Sequence, residues 1–173
     1  SFQQPDGRFV SFPSEGGTNA HAHAYSAEGL WVAGSLLERD DYLQSSVRAT
    51  EWLLRWQSPE GLVPRHFHNG VPTYNERVDI LAQALRLGAI HLAQGRLDPA
   101  LGERLAPLAE VVTRNQVRAG DTRSLGGFHF GRLSDGKPMP HVNVWVSAFA
   151  IQALHLYQGL ALGREPFKPH FMV

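Results

Sequence analysis

The sequence predicts an all-α domain in which inner and outer helices alternate, about five main helices joined by short β-hairpin loops. Two observations predict it: one grammar recurs three times along the chain, and the helical stretches alternate in kind. The recurring segments are Gln4-Pro-Asp-Gly-Arg-Phe9 leading to Ala27-Glu-Gly-Leu30, Gln57-Ser-Pro-Glu-Gly-Leu-Val63 leading to Ala82-Gln-Ala-Leu85, and Gln116 to Gly126-Gly-Phe128 leading to Ile151-Gln-Ala-Leu154. Each is a Gln, a Gly turn, an extended apolar pair, a His- and Asn-rich loop, and a helix. Self-similarity of this kind marks a repeat architecture.

The elements follow in order. Tyr25 to Leu37 is apolar nearly all round and reads as an inner helix. Asp41 to Trp56 places Leu43, Val47 and Leu54 on one stripe, with Arg48, Glu51 and Arg55 elsewhere, so it reads as an outer helix. From Asp79 to Gln94 the polar residues are Asp79, Gln83, Arg86, His91 and Gln94, and the first three form a narrow stripe. A helix like that is enclosed by other helices. Pro99 to Val117 repeats Leu101, Leu105, Leu108 and Val112 at helical spacing. Asp98 caps it, Pro99 sits in its first turn, and Pro107 predicts a kink or a break. Val144 to Leu160 reads like the enclosed helix. Extended pairs are expected near Arg8–Phe12, Leu62–Phe67 and Gly127–Gly131, and helix should exceed the globular average of about a third. An alternation of inner and outer helices is what a double-layered α/α toroid or solenoid requires.

Composition narrows the function classes. The chain has 173 residues, room for a single domain spanning 1–173. Lys plus Arg and Asp plus Glu are each 16, a net charge of 0, which gives no basic excess for nucleic acid or an anionic membrane. There is no Cys, so disulfides, thiol catalysis and thiolate metal sites are excluded. The stretch Val144 to Leu162 is interrupted by Ser147, Gln152, His155, Gln158 and Gly159, and reads as a buried helix, not a membrane span. No leader pattern stands at Ser1, and compartment stays open.

The alternation, the Gln-x-x-x-Gly turns and the phrases His23-Ala-Tyr-Ser-Ala-Glu-Gly-Leu30, Tyr42-Leu and Ala49-x-x-Trp-Leu-Leu54 make the chain resemble the α/α toroid enzymes. One branch is the six-hairpin carbohydrate-active group of glycoside hydrolases, polysaccharide lyases and sugar epimerases. The other is the terpenoid cyclase and prenyltransferase toroids, whose acid motif is absent here. A closed toroid needs about twice these helices, so the chain resembles half a ring. It is expected to be a fragment, a module of a larger enzyme, or a subunit completing its core with a second copy or partner domain.

The resemblance places a cleft where loops enter the inner helices: Asn19 to Tyr25, Arg65 to Asp79, and His141 to Trp145. His21, His23 or His141 is the expected base and Tyr25 or Tyr74 the acid, with Asp79 a further catalytic candidate. Asp79 is either a general base with a raised pKa or the partner of Arg86 or Gln83. Arg65, His66, His68, Asn75, Arg77, Asn143 and Trp145 are expected to bind substrate, with Tyr25, Tyr74 and Trp145 stacking on sugar faces. By the repeat offsets Asn19, Tyr74 and Asn143 coincide, as do His21, Glu76 and Trp145. Thr73-Tyr-Asn-Glu76 also matches a capping box, and Glu28 is either a cleft acid or a bonding partner of nearby backbone. The pairs His21-x-His23 and His66-x-His68 lack accompanying carboxylate spacing, so no metal is expected, and no cofactor.

The expected function is a carbohydrate-active domain that acts on or binds an oligosaccharide or uronate-containing polysaccharide by epimerase, lyase or hydrolase acid–base chemistry. The alternatives are a non-catalytic helical repeat module for a glycan or protein, and a terpenoid cyclase-like toroid. The expected partner is a carbohydrate, with no nucleic acid and no membrane.

Overall fold

Asn19 decides where the first helix begins. In the computed structural model, which describes residues 2–164 together with Lys168, Pro169 and Met172, its side chain accepts a hydrogen bond from the His21 amide and caps helix α1, Ala20–Leu36. The helix therefore starts five residues before Tyr25, and the Ala-His alternation expected as loop forms its first turns. Asp40–Arg55 is α2. Its amphipathic stripe turns Val47, Leu53 and Leu54 inward.

Between α2 and the next inner helix lies a three-stranded antiparallel sheet: β1 Thr18–Asn19, β2 Pro64–His68 and β3 Val71–Tyr74. The β2–β3 turn is Asn69-Gly70, both at positive φ (50° and 80°), the pairing that a two-residue hairpin demands. The segment 65–79, expected as one loop, is thus largely a hairpin.

Helix α3, Val78–Ala93, is the centre of the molecule, buried at every residue from Val78 to His91. It packs against α1, α2, α5 and α6. The expected break in the next helix occurs, but upstream of Pro107. A single turn α4, Pro99–Gly102, capped by Asp98, is followed by α5, Leu105–Thr113. Pro107 sits in the first turn of α5, where its missing N–H leaves no bond unmade. Asn143 caps the last helix, α6, Val144–Ala161.

The helices are arranged in two layers, α1, α3 and α6 inside and α2 and α5 outside, with close to half of the chain helical. The expected extended pairs are present as bridges at Gln3↔Phe9, Phe12↔Gly17 and Gln116↔Phe128, and as β2. Among the described residues, only α3 is a helix enclosed all round. Helix α6 leaves Val144 (85 %), Ile151 (58 %) and, just past its end, Leu162 (64 %) exposed. Beside it an open groove of about 680 Å³ runs between α5 and α6, lined by Ala106, Ala109, Leu154 and Tyr157. No helix among the described residues is long and apolar enough to cross a membrane.

Candidate functional site

The caps fix the register of the site. Asn19, Arg77 and Asn143 occupy the cap positions of α1, α3 and α6. The residues two places on, His21, Asp79 and Trp145, are therefore equivalent. The repeat offsets, taken from the helix cores, align Glu76 instead, because the α3 cap stands three residues closer to its matched core than the caps of α1 and α6 do.

The three N-termini meet at one rim. His21 Nδ1 lies 3.4 Å from Asp79 Oδ2, close enough for charge but without hydrogen-bond alignment. Arg77 Nη2 donates to the same oxygen at 3.0 Å. Asp79 is thus the partner of Arg77 and His21, not of Arg86 or Gln83, and its Oδ1 is buried without a hydrogen bond. The His21 ring stands edge-on to Tyr25, centroids 4.7 Å apart. The Tyr25 hydroxyl accepts from Trp145 Nε1 at 3.1 Å, which leaves its own proton free to be donated. Trp145 is about half exposed, and beneath the pair Phe149 approaches both rings.

Cations flank this group. The Arg77 guanidinium lies 3.6 Å over the Phe130 ring. Burial pushes its pKa down, Asp79 pulls it up, and the nearby Arg65 charge pushes it down further. Arg65 Nε donates to His66 Nε2 at 3.2 Å, and burial, then Arg65, lowers the His66 pKa. His141 is exposed, its ring 5.1 Å from Phe130. The rim therefore brings together His21, Tyr25, Asp79, Arg77, Arg65, His66, Trp145 and His141, joined by Phe130, which the sequence reading passed over as part of an extended pair.

Other candidates are placed elsewhere. On a helix, residues two apart point in nearly opposite directions, so while His21 faces the rim, His23 turns into the core. Its Nδ1 accepts from the Phe9 amide and its Nε2 donates to the Ala49 carbonyl. Burial drives its pKa down to about 4, so it is a neutral structural residue, not a cleft base. Tyr74 donates its hydroxyl to the Trp56 carbonyl at 2.7 Å and acts as a strap between β3 and α2. Asn143 caps α6, its side-chain oxygen accepting from the Val146 amide. His68 is exposed at the hairpin tip, and Asn75 is exposed between β3 and α3.

Glu76 forms no capping box, since Thr73 and Tyr74 are strand residues and α3 is capped at Arg77 without a side-chain bond. Its carboxylate is buried and accepts from Arg114 and Asn115, with Arg132 at 3.2 Å. Burial works to raise its pKa, but these partners win and hold it below the ordinary value. Glu28 is not bonded to backbone but pairs with Arg86 and Gln83 between α1 and α3. No group of three or more metal-ligating side chains is gathered among the described residues.

No family model and no curated protein matches the chain. Solved structures do. An α-amylase from Clostridium perfringens superposes with a TM-score of 0.65 at 10% identity, over 91% of this chain and 47% of that one. Cellobiose 2-epimerase from Bacillus thermoamylovorans B4167 gives 0.66 at 12%, over 89% and 43%. The unsaturated glucuronyl hydrolase of Bacillus sp. GL1, responsible for the degradation of glycosaminoglycan, gives 0.61 at 15%, over 88% and 47%. The chain spans a little under half the length of each. It is built on the α/α toroid fold of these carbohydrate-active enzymes.

Proposed function

We propose that the rim is one wall of a carbohydrate cleft for an oligosaccharide or uronate-containing polysaccharide, working by acid–base chemistry of the epimerase or lyase kind. The observation that carries this reading is His21 held beside the buried Asp79 carboxylate and next to the Tyr25–Trp145 pair. The Asp79 carboxylate stands 3.4 Å from the His21 ring that takes the proton. Tyr25 is placed to give one back. In an elimination, His21 removes the C–H proton beside the uronate carboxylate. The C–H electron pair becomes the new double bond as the glycosidic oxygen leaves with the Tyr25 proton. Trp145 offers a half-exposed face for a sugar ring, and Arg77 and Arg65 supply positive charge for the carboxylate. Two-carboxylate hydrolysis is less well supported. It needs a second carboxylate across the scissile bond, and Glu76 and Glu28 are both committed to arginines.

The test is a binding and turnover screen across neutral and uronic oligosaccharides. His21→Ala is expected to lower turnover by about 10²–10⁴, the usual loss for a positioned acid or base. Trp145→Ala should weaken binding, and Tyr74→Phe should leave turnover unchanged. Binding without turnover, unaltered by His21→Ala, would favour the non-catalytic glycan module. No binding at the rim by any sugar would overturn the carbohydrate reading.

The exposed α6 flank supports the expectation of a partner, since monomers rarely leave apolar patches beyond a few hundred Å² uncovered. We propose that a second copy or a partner domain covers it. Light scattering should show association, and a well-behaved monomer from micromolar to millimolar concentration would count against it.

A further inference from the structure

Arg77 and the His21 ring face one oxygen at the rim. Arg77 Nη2 and His21 Nδ1 both approach Asp79 Oδ2, so the place of Arg77 decides how much of the Asp79 charge His21 feels. Arg77 is held there by its Nη2 bond to Asp79, while its Nε is buried without a partner. Its other support is the Phe130 ring, 3.6 Å beneath the guanidinium.

Phe130 comes from the loop between α5 and α6, and Glu76 fastens that loop to the start of α3. Its carbonyl accepts from the Arg132 amide at 3.0 Å, and Val78 N–H donates to the Phe130 carbonyl at 3.1 Å. Its carboxylate binds Arg114 and Asn115 at the end of α5 and faces Arg132 in the loop. The backbones meet so closely that a Cβ on Gly131 would stand 2.0 Å from the Glu76 carbonyl oxygen.

We propose that Phe130 and Glu76 are positioning residues of the rim: Phe130 seats Arg77 on the Asp79 oxygen that His21 faces, and Glu76 seats the loop that presents Phe130. Neither touches the reacting atoms. The importance of this relay for turnover rests on the carbohydrate reading, but the relay itself does not, so its test needs no sugar. The charged and titratable groups around His21 are Asp79 and Arg77 at the start of α3, Arg65 and His66 on β2, and Tyr25 on its own helix. Of these, the relay moves only Arg77.

The readout is the protonated fraction of His21 at a fixed neutral pH, taken from its imidazole ¹⁵N shifts. With Phe130→Leu, Arg77 loses its seat and Asp79 acts on His21 uncompensated, so that fraction should rise. Phe130→Tyr, which keeps the aromatic face, should restore the wild-type value. Glu76→Gln should raise the fraction as well and speed amide exchange at Phe130 and Arg132. In the unaltered protein the Arg77 side-chain resonances should carry an upfield ring-current shift from Phe130, a measurement that survives if a variant fails to fold. An absent ring-current shift, or a folded Phe130→Leu protein with an unchanged His21 fraction, would overturn the proposal. Loss of sugar turnover with the His21 readout unmoved would also overturn it, while leaving the carbohydrate reading standing.

Discussion

Replacing Arg86 with Met is expected to cost about 3–5 kcal/mol of stability, the scale for breaking a buried ion pair by removing one partner. Arg86 is fully buried on the enclosed helix α3. It pairs with Glu28 of α1, donates to Gln152 of α6 and lies 4.4 Å over the Phe149 ring, so it ties all three inner helices together. Burial already raises the Glu28 pKa even with Arg86 beside it. Without Arg86 the carboxylate must protonate or draw in water. The double variant Glu28→Gln, Arg86→Met leaves no buried charge and should recover much of the loss. The Arg86→Met deficit should also shrink as pH falls and Glu28 is neutralised. Urea unfolding of the variants at two pH values checks this, and a single-variant cost under about 1 kcal/mol would show that the pair is not an energetic hub.

Lowering pH from 6.5 towards 4 is expected to destabilise the protein by several kcal/mol. Burial pushes both His23 and His91 down to about 4. In the unfolded chain both return to about 6.5. The folded state binds fewer protons between those values, so stability is complete above pH 6.5 and is lost as pH falls to about 4. Each histidine carries roughly 3 kcal/mol across that window by the conversion of pKa to free energy. Glu28 works the other way. Its raised pKa favours the folded state below about 4.5, and that benefit is lost as pH climbs through the folded value. The histidines dominate because there are two of them, and His91 Nδ1 has no partner to stabilise an added proton. Urea midpoints measured from pH 7.5 to 4.5 should fall steeply in wild type and less steeply in His91→Gln. A flat wild-type profile would contradict the buried, neutral state of both rings.

Local chemistry made the helices readable. Asp98-Pro99 marked a helix start, the near absence of polar residues from Asp79 to Gln94 marked enclosure, and the Leu43, Val47, Leu54 stripe marked an outer helix. Asn69-Gly70 is a hairpin signal legible in the sequence. The start of α1 was harder, because Ala-His-Ala-His fits helix and loop alike, and the Asn19 cap settles it.

Residue type and spacing thus determined the two-layer helical fold, its resemblance to half a toroid, and a rim rich in His, Tyr and Arg. Tertiary structure alone decided which of those residues share a point. About half a helical turn sends His21 to the rim and His23 into the core. A three-residue shift of cap position makes Asp79, not Glu76, the equivalent of His21 and Trp145. Phe130 reaches Arg77 only because a loop far along the chain folds back onto the start of α3. Pairings across such distances are fixed by helix phase and by how layers pack, and neither quantity is carried by any local stretch of sequence.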